Sequence, residues 1–295
     1  MAAEMGSANE NSSSFLHTTH AMDWNYYNWC TDYPTARITW STISMICFFL
    51  GLPVNVWVLH ELLPRQRQKA TSDFIMLSLA VINLIFTAQI PFCVFNFMAW
   101  HSTELQIIFV FIFNISVQGR PLFMAYICLD CYVAVVYPIE YKASRKLAVI
   151  KKIITIIMYF IIAGFGLLTC TITWLFTTPF VALPLIMALP VISFCDISIL
   201  RALRKPDPTG KNKIHPQKKR ALHTIFNSFI MTFVVYLPPA IIFSFGNLLP
   251  LEETVRYCCI TPYGYCFSTA GCIIMPVLYL VSVDKLDIFK NCWKK

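Results

Sequence analysis

The side chains best suited to chemistry, six histidines and twelve cysteines, are scattered through a chain of 295 residues. No two histidines share a metal-ligand spacing with a carboxylate, and no glycine-rich loop offers backbone amides to a phosphate. The histidines are His17, His20, His60, His101, His215 and His223. Most cysteines lie inside apolar runs, where a thiol acts as a small hydrophobic group. The sequence therefore predicts no enzyme, metal site or cofactor.

The composition excludes most classes of soluble protein. Hydrophobic residues make up 57% of the chain and charged residues 13%, and the mean hydropathy is +0.63. A soluble domain carries about 25% charged residues, so this chain has too little charge to cover a water-exposed surface. Its 24 phenylalanines exclude a disordered chain. The remaining class is a membrane protein.

Apolar runs long enough to cross a bilayer predict the membrane spans. They are Ile38–Leu59, Phe74–Trp100, Leu105–Leu129 (broken only by Arg120), Ile153–Cys195, Ala221–Leu251 and Tyr257–Val283. The run Ile153–Cys195 would form a helix of about 65 Å, twice the hydrocarbon thickness. We therefore expect it to fold back near Trp174–Pro179, which gives seven spans. The runs carry no carboxylate, which argues against a proton- or cation-coupled transporter.

The basic residues predict the orientation of the spans. The 23 lysines and arginines, with three exceptions, form clusters at 61–72, 138–152, 201–220 and 284–295. With seven spans all four clusters lie on one side, which the positive-inside rule makes cytoplasmic. Short clusters of this kind suit anionic lipid rather than nucleic acid. We predict an all-α membrane protein with an extracellular tail at 1–37, a seven-helix bundle at 38–283 and a short cytoplasmic amphipathic helix at 284–295.

Short motifs in six of the spans resemble those of the rhodopsin-like (class A) G-protein-coupled receptors. The longest, LDCYVAVVYPIEY from Leu129 to Tyr141, is similar to the family's DRYxAVxxPLxY. The others are GLPVN at 51–55, LSLAVINL at 77–84, Pro184, FVVYLP at 233–238 and MPVLY at 275–279. Within the family, these motifs are most similar to those of the branch of nucleotide, chemokine and small-acid receptors. The resemblance implies a plasma-membrane receptor that binds an extracellular ligand and acts on heterotrimeric G proteins.

The residues implied for the switch and the G-protein face are Asp130, Cys131, Tyr132, Met275, Pro276 and Tyr279. Cys131 stands where the family has its switch arginine, and a weak thiol donor cannot replace a charged fork. Met275 and Ile192 replace an asparagine and a tyrosine of the activation relay. Two hypotheses follow: an atypical receptor with weak or unusual coupling, or a seven-helix protein that does not signal and serves as a decoy or a dimerisation partner.

The family's sodium pocket is also altered. Its three positions correspond here to Asn83, Arg120 and Met275, so a carboxylate is lost and a guanidinium gained. A charge within the membrane is costly and seeks partners inside the bundle. We expect Arg120 to occupy the position of the sodium ion, held by Asn83 and by freed carbonyls near Pro121, and to make the receptor insensitive to sodium. The alternative is that Arg120 faces a wet cavity and has no role.

The ligand pocket should lie between the outer halves of the helices and be aromatic. Its candidate residues are Phe95, Phe97, Trp100, Tyr236, Tyr263 and Phe267, although core packing explains each of them equally well. Among cations only Arg256 falls near the expected mouth, which argues against a nucleotide or a carboxylate. We therefore expect a peptide, a membrane-borne lipid or no ligand.

The resemblance also implies modifications of the outer face. In the chemokine and nucleotide branch a disulfide joins the tail to the third outer loop, where this chain has Cys30 and either Cys258 or Cys259. Free thiols or intermolecular pairing are the alternatives. Asn11 begins a glycosylation motif in the tail. Cys292, beside basic residues near the carboxyl end, is a candidate for palmitoylation.

Overall fold

Seven membrane-spanning helices account for most of the chain. The computed structural model describes residues 30, 32–67, 72–143, 147–171, 182–204, 216–248 and 250–282. The helices long and apolar enough to cross a membrane, named span 1 to span 7 in chain order, cover Pro34–Pro64, Phe74–Trp100, Thr103–Val136, Val149–Cys170, Leu183–Leu203, Ala221–Phe245 and Cys258–Ser282. The prediction of an all-α bundle of seven helices is confirmed.

The helix bounds refine the predicted runs. The longer α-helices are Pro34–Arg67, Ser72–Phe95, Thr103–Val136, Leu147–Thr171, Leu183–Leu203, Pro216–Ile230, Leu237–Phe245 and Thr261–Ser282. The first begins at Pro34, before the expected Ile38, because proline suits the first turn of a helix. The run Ile153–Cys195 is divided between spans 4 and 5. Two short α-helices, Pro138–Ala143 and Glu253–Val255, and a 3₁₀ turn, Gly246–Leu248, complete these elements.

Three short π-helical segments change the direction in which side chains point. They are Asn96–Trp100, Met231–Tyr236 and Arg256–Ile260. After the first of them, His101 adopts a left-handed backbone conformation. The Asn96 side chain accepts from the Ser102 amide at 3.0 Å and donates to the Ser102 carbonyl at 3.1 Å. Span 2 therefore passes to span 3 through a tight turn at the same end of the bundle.

Span 3 lies at the centre of the bundle. It contacts spans 2, 4, 5 and 6, whereas span 1 packs between spans 2 and 7. Its buried face includes Val117, Met124 and Cys128, which share one apolar cluster with residues of spans 5 and 6. Span 4 is the opposite case, because many of its large apolar side chains point outward and Phe160 is 75% exposed. An apolar exterior of this kind suits lipid rather than water.

A disulfide closes one end of the bundle. It joins Cys30 to Cys258, with the two Cα atoms 5.3 Å apart, so the predicted bridge is confirmed and its partner is Cys258. Cys259 is a free, half-buried thiol. Four expectations fall outside the described residues: Asn11, the turn near Trp174–Pro179, the stretch 284–295 and Cys292 within it.

Removing this disulfide should destabilise the bundle. We expect the Cys30→Ser, Cys258→Ser double variant to lose about 2–5 kcal/mol of unfolding free energy, because the bridge joins distant parts of the chain and restricts the unfolded state. Thermal unfolding of the purified protein in detergent measures the effect. Cys259→Ser is the matched control and should unfold like the parent. Equal stability of all three proteins would contradict the assignment.

Candidate functional site

An ion pair joins spans 3 and 4 at one end of the bundle. We name this end, which carries Asp130 and Lys151, the inner end, and the end with the disulfide the outer end, after the orientation that the charges predict. Lys151 Nζ pairs with Asp130 Oδ1, and both side chains are largely buried. Tyr141, on the helix Pro138–Ala143, places its hydroxyl 3.2 Å from Asp130 Oδ2, and Lys151 Nζ donates to that hydroxyl at 2.7 Å. The three groups form a closed polar cluster.

The protonation of Tyr141 fits its place in this cluster. Burial is the largest influence on its pKa and raises it, while the hydrogen bond from Lys151 acts in the opposite direction. The net shift is upward, so the phenol keeps its proton at neutral pH. Tyr141 can therefore donate to Asp130 while it accepts from Lys151.

Cys131 and Tyr132, which follow Asp130, face a different part of the bundle. Both pack against an apolar cluster formed by Ile199 of span 5 with Ala221 and Ile225 of span 6. Asp130, in contrast, is paired toward span 4. Around Cys131 the contact between span 3 and spans 5 and 6 is therefore apolar, and the charge of Asp130 serves another pair of helices.

The span 7 motif, residues 275–279, packs against neighbouring spans. Met275 packs against the apolar clusters of span 3, and its sulfur lies 3.5 Å from Asn83 Nδ2, which donates to it. Pro276 is buried within the helix. Tyr279 packs toward span 1, against the cluster that contains Val54 and Val58. The motif residues thus contact spans 1, 2 and 3.

Arg120 lies at the centre of the bundle and is 1% exposed. Its Nε donates to Asn83 Oδ1 at 2.7 Å, and its Nη1 donates to the carbonyl of Ser268 in span 7. The guanidinium carbon lies 4.8 Å from the centre of the Phe86 ring, a cation–π contact. Arg120 therefore holds spans 2, 3 and 7 together through one planar group.

The structure corrects the partners expected for Arg120. Asn83 is one of them, but the carbonyl belongs to Ser268 rather than to the turn near Pro121, because the guanidinium extends away from its own helix. Nη2 has no hydrogen-bond partner among the described residues, and no carboxylate pairs with Arg120 there. The charge is thus solvated by neutral dipoles and by one aromatic face.

Glycine at position 271 makes room for this arginine. A Cβ atom there would lie 3.0 Å from Arg120 Nη1 and 2.7 Å from a methyl carbon of Val235. Contacts this short force neighbouring atoms to move. Any side chain at position 271 would therefore displace the guanidinium or span 6. The position of the Arg120 guanidinium therefore requires a glycine at position 271.

Carboxylates do lie within the spans, contrary to the expectation from the apolar runs: Glu61 in span 1, Glu104 and Asp130 in span 3, and Asp196 in span 5. Asp196 falls inside span 5 because the helix continues to Leu203. Ser228 of span 6 donates its hydroxyl to Asp196 Oδ2 at 2.5 Å. Asp196 Oδ1 is buried and has no hydrogen-bond partner among the described residues. This polar contact joins spans 5 and 6.

A cavity of about 120 Å³ opens between spans 1, 2, 3 and 7 at the outer end. Cys30 and Cys258 of the disulfide line it on the outer side, and Phe86, Phe113 and Thr269 line it toward the membrane centre. Its wall is mainly aromatic and aliphatic. A cavity with the expected position and aromatic character is therefore present, although most of the side chains predicted for the ligand pocket do not line it.

Of the aromatic candidates, Phe97 lines this cavity and the others do not. Phe95 and Trp100 are about half exposed and stack on each other at 5.0 Å, pointing away from the bundle. Tyr263 and Phe267 also point outward, and Tyr265 lines the cavity in their place, because residues four apart share a helix face and the residue midway faces the other side. Tyr236 lies in the core cluster of spans 3, 5 and 6.

Arg37 is a cavity residue that the sequence did not indicate. It lines the outer end of the cavity, with its guanidinium carbon 5.1 Å from the centre of the Phe97 ring, and it donates to the Phe97 carbonyl at 3.5 Å. Because the first helix begins at Pro34, Arg37 belongs to span 1 and not to the tail. The expectation that only Arg256 supplies positive charge near the mouth is wrong for this reason.

Similar sequences agree with the architecture. A family model described as "7 transmembrane receptor (rhodopsin family)" matches residues 54–179. The lysophosphatidic acid receptor 6 of Gallus gallus is 22% identical, over 82% of this chain and 88% of its own. The C-C chemokine receptor type 8 of Mus musculus is 22% identical, over 84% of this chain and 78% of its own.

A shorter match supports the same branch of receptors. The free fatty acid receptor 3 of Rattus norvegicus is 25% identical, over 36% of this chain and 35% of its own. The relatives are receptors of the plasma membrane and not enzymes. The seven spans, the motifs that they carry and the family match lead to one conclusion. The chain is similar to the rhodopsin family of seven-transmembrane receptors in both sequence and architecture.

Proposed function

We propose that this receptor binds a ligand at its outer end and couples only weakly to heterotrimeric G proteins. The pairing of Asp130 with Lys151 and Tyr141 is the observation that carries the proposal. In the family that Asp holds the adjacent switch arginine, whereas here the next residue is Cys131. The Asp130 carboxylate pairs with Lys151 instead, and the guanidinium that would contact the G protein is missing.

The apolar contact around Cys131 determines what remains of the switch. An ionic contact between spans 3 and 6 would resist their separation, and the contacts of Cys131 with Ala221 and Ile225 are apolar. A thiol at this position cannot supply the charge of such an ionic contact. A G protein that enters the opened end would meet a thiol, which donates only weakly. Together, these two effects predict that a G protein can enter the inner end of the bundle but binds there with low affinity.

A second function deserves a direct comparison because two relay positions are filled by apolar core residues. Ile192 is 1% exposed and packs in the central cluster, and Met275 packs against the same cluster. Neither side chain can donate a hydrogen bond as a tyrosine or an asparagine does, and Met275 offers only a weakly accepting sulfur. A receptor without this relay could serve as a ligand decoy or as the dimerisation partner of a competent receptor.

Arg120 carries a second part of the proposal, namely that the receptor does not respond to sodium. Its guanidinium bonds to Asn83 and Ser268 with a fixed positive charge at the place that corresponds to the family's sodium ion. A cation there would be repelled by Arg120 and would find an amide at Asn83 instead of a carboxylate. Arg120 is also a permanent link between spans 2, 3 and 7, whereas a bound ion can leave.

The coupling proposal is tested by nucleotide exchange on purified G proteins of each class with the receptor in lipid nanodiscs. We expect the parent to give slow exchange above receptor-free nanodiscs. Cys131→Arg should raise the rate about tenfold or more, because a charge-assisted hydrogen bond contributes about 1.5–3 kcal/mol. Cys131→Ser, which adds no charge, should match the parent. Adding Lys151→Met to Cys131→Arg frees Asp130 to hold the introduced guanidinium and should reduce exchange again.

Two outcomes would decide against weak coupling. If the parent is silent with every G protein and Cys131→Arg is active, the decoy or dimerisation function is favoured. If Cys131→Arg and Cys131→Ser behave alike, the missing arginine does not limit coupling.

The sodium proposal is tested by thermal unfolding in sodium chloride and in choline chloride at equal concentration. We expect the parent to unfold at the same temperature in both salts. Arg120→Ser should lose about 2–6 kcal/mol, because two buried acceptors each lose a partner at about 1–3 kcal/mol. Combining it with Asn83→Asp restores a carboxylate and should make stability rise with sodium, since a bound ion stabilises the folded state.

The matched control is Arg201→Ser, the same change at an exposed position of span 5. It should alter neither the stability nor the response to salt. A parent that is stabilised by sodium relative to choline would refute the proposal. So would an Arg120→Ser variant that leaves stability and salt response unchanged.

A further inference from the structure

We propose that the outer cavity binds a single-chain amphiphile with an anionic head group, and that Arg37 holds the anion. This inference rests on the proposed function, because it assumes that the outer end is where the receptor binds its ligand. It adds the chemical class of that ligand, its position between spans 1, 2, 3 and 7, and the residue that selects its charge.

Arg37 places a positive charge at the outer end of the cavity. Its Nε is buried and has no hydrogen-bond partner among the described residues, and no carboxylate of those residues pairs with its guanidinium. Among the residues with described positions, no acidic side chain lines the cavity. A guanidinium is the residue type that best matches a carboxylate or a phosphate. One guanidinium suits one anionic group, whereas a nucleotide polyphosphate would require several cations.

Buried polar atoms below Arg37 also lack partners. Ser44 of span 1 is 2% exposed and Gln89 of span 2 is 8% exposed, and both line the cavity. Within the part of the chain that the structure describes, Ser44 Oγ, Gln89 Oε1 and Trp40 Nε1 have no hydrogen-bond partner. A buried polar atom without a partner costs about 1–3 kcal/mol. These atoms are therefore available to the hydrogen-bonding groups of a bound molecule.

The spacing of these groups describes the shape of the ligand. Arg37, Trp40 and Ser44 follow the spacing of one face of a helix, and the distance from Arg37 to Ser44 is about 10 Å along the axis at 1.5 Å per residue. Beyond Ser44 the lining is apolar, with Phe86 and Phe113 at the deep end. From the mouth inward, the cavity offers a cation, then hydrogen-bonding atoms, then an aromatic wall.

A lipid fits this order better than a peptide. Arg37 lies in the first turn of span 1, at its outer end, where a lipid head group would meet the apolar chains. A cavity of about 120 Å³ with mainly apolar walls is too small for a folded segment of chain and suits part of an acyl chain. Both a fatty acid and a lysophospholipid have the required chemistry, an anion at the head of one chain.

The experiment measures binding to the purified full-length receptor in a neutral detergent by native mass spectrometry. The probes share one oleoyl chain: oleate, oleoyl lysophosphatidate, uncharged monooleoylglycerol and cationic oleylamine. We expect the two anions to bind at least about tenfold more tightly than the other two, as a charge-assisted hydrogen bond allows. Preference for lysophosphatidate would identify a phosphate head with a hydroxyl-bearing linker, and preference for oleate a carboxylate.

Variants locate the binding. Arg37→Gln should weaken the anions about tenfold or more and leave monooleoylglycerol unchanged. Phe97→Ala should weaken every probe, whereas Phe95→Ala, the same change on the outward face, should weaken none. Ser44→Ala is a milder variant that keeps the test usable if Arg37→Gln does not fold, and it should weaken lysophosphatidate more than oleate.

Equal binding of charged and uncharged probes, or binding that Arg37→Gln and Phe97→Ala leave intact, would overturn the proposal. Binding of none of the probes would do the same and would favour a peptide. The readout involves no G protein, so a receptor that binds the anions but fails in nucleotide exchange contradicts only the coupling proposal. A receptor that is active in nucleotide exchange but does not bind the anions contradicts only the proposal of an anionic amphiphile.

Discussion

A single buried positive charge constrains the middle of this receptor. Arg120 is enclosed by spans 2, 3 and 7, and within the described residues no carboxylate neutralises it. A charge inside a membrane protein persists only where dipoles replace its hydration. Here the Asn83 amide, the Ser268 carbonyl and the face of Phe86 do so, and Gly271 leaves the space that the guanidinium needs. The packing of three spans depends on that arrangement.

The inner end has reorganised around the loss of another charge. Without an arginine after Asp130, a free carboxylate would remain in a largely buried place, which costs several kcal/mol unless it is paired. Lys151 of span 4 supplies the pair, and Tyr141 supplies a hydrogen bond. The ionic contact of Asp130 therefore joins span 3 to span 4 and not to spans 5 and 6. Asp196 with Ser228 provides a separate polar contact between spans 5 and 6.

Hydropathy and charge predict the spans well because a bilayer imposes a minimum length and a uniform apolar exterior. The same argument divides Ile153–Cys195 correctly. It fails for side-chain direction, since the aromatic residues of spans 2 and 7 face either lipid or cavity and both environments are apolar. Phe95 and Phe97 cannot be distinguished by composition. Lys151 could have been found as a cation at the start of an apolar run, whereas the role of Arg37 depends on where the first helix begins.

The outer cavity and the buried arginine share a boundary, and this connects ligand binding to the bundle core. Phe86 lines the cavity with one part of its surface and contacts the Arg120 guanidinium at 4.8 Å. Thr269, another lining residue, follows Ser268, whose carbonyl accepts from Arg120. A molecule that filled the deep end of the cavity would press on the groups that solvate the charge. Because Arg120 tolerates few alternative partners, a small shift of Phe86 or of span 7 must be shared by spans 2, 3 and 7 together.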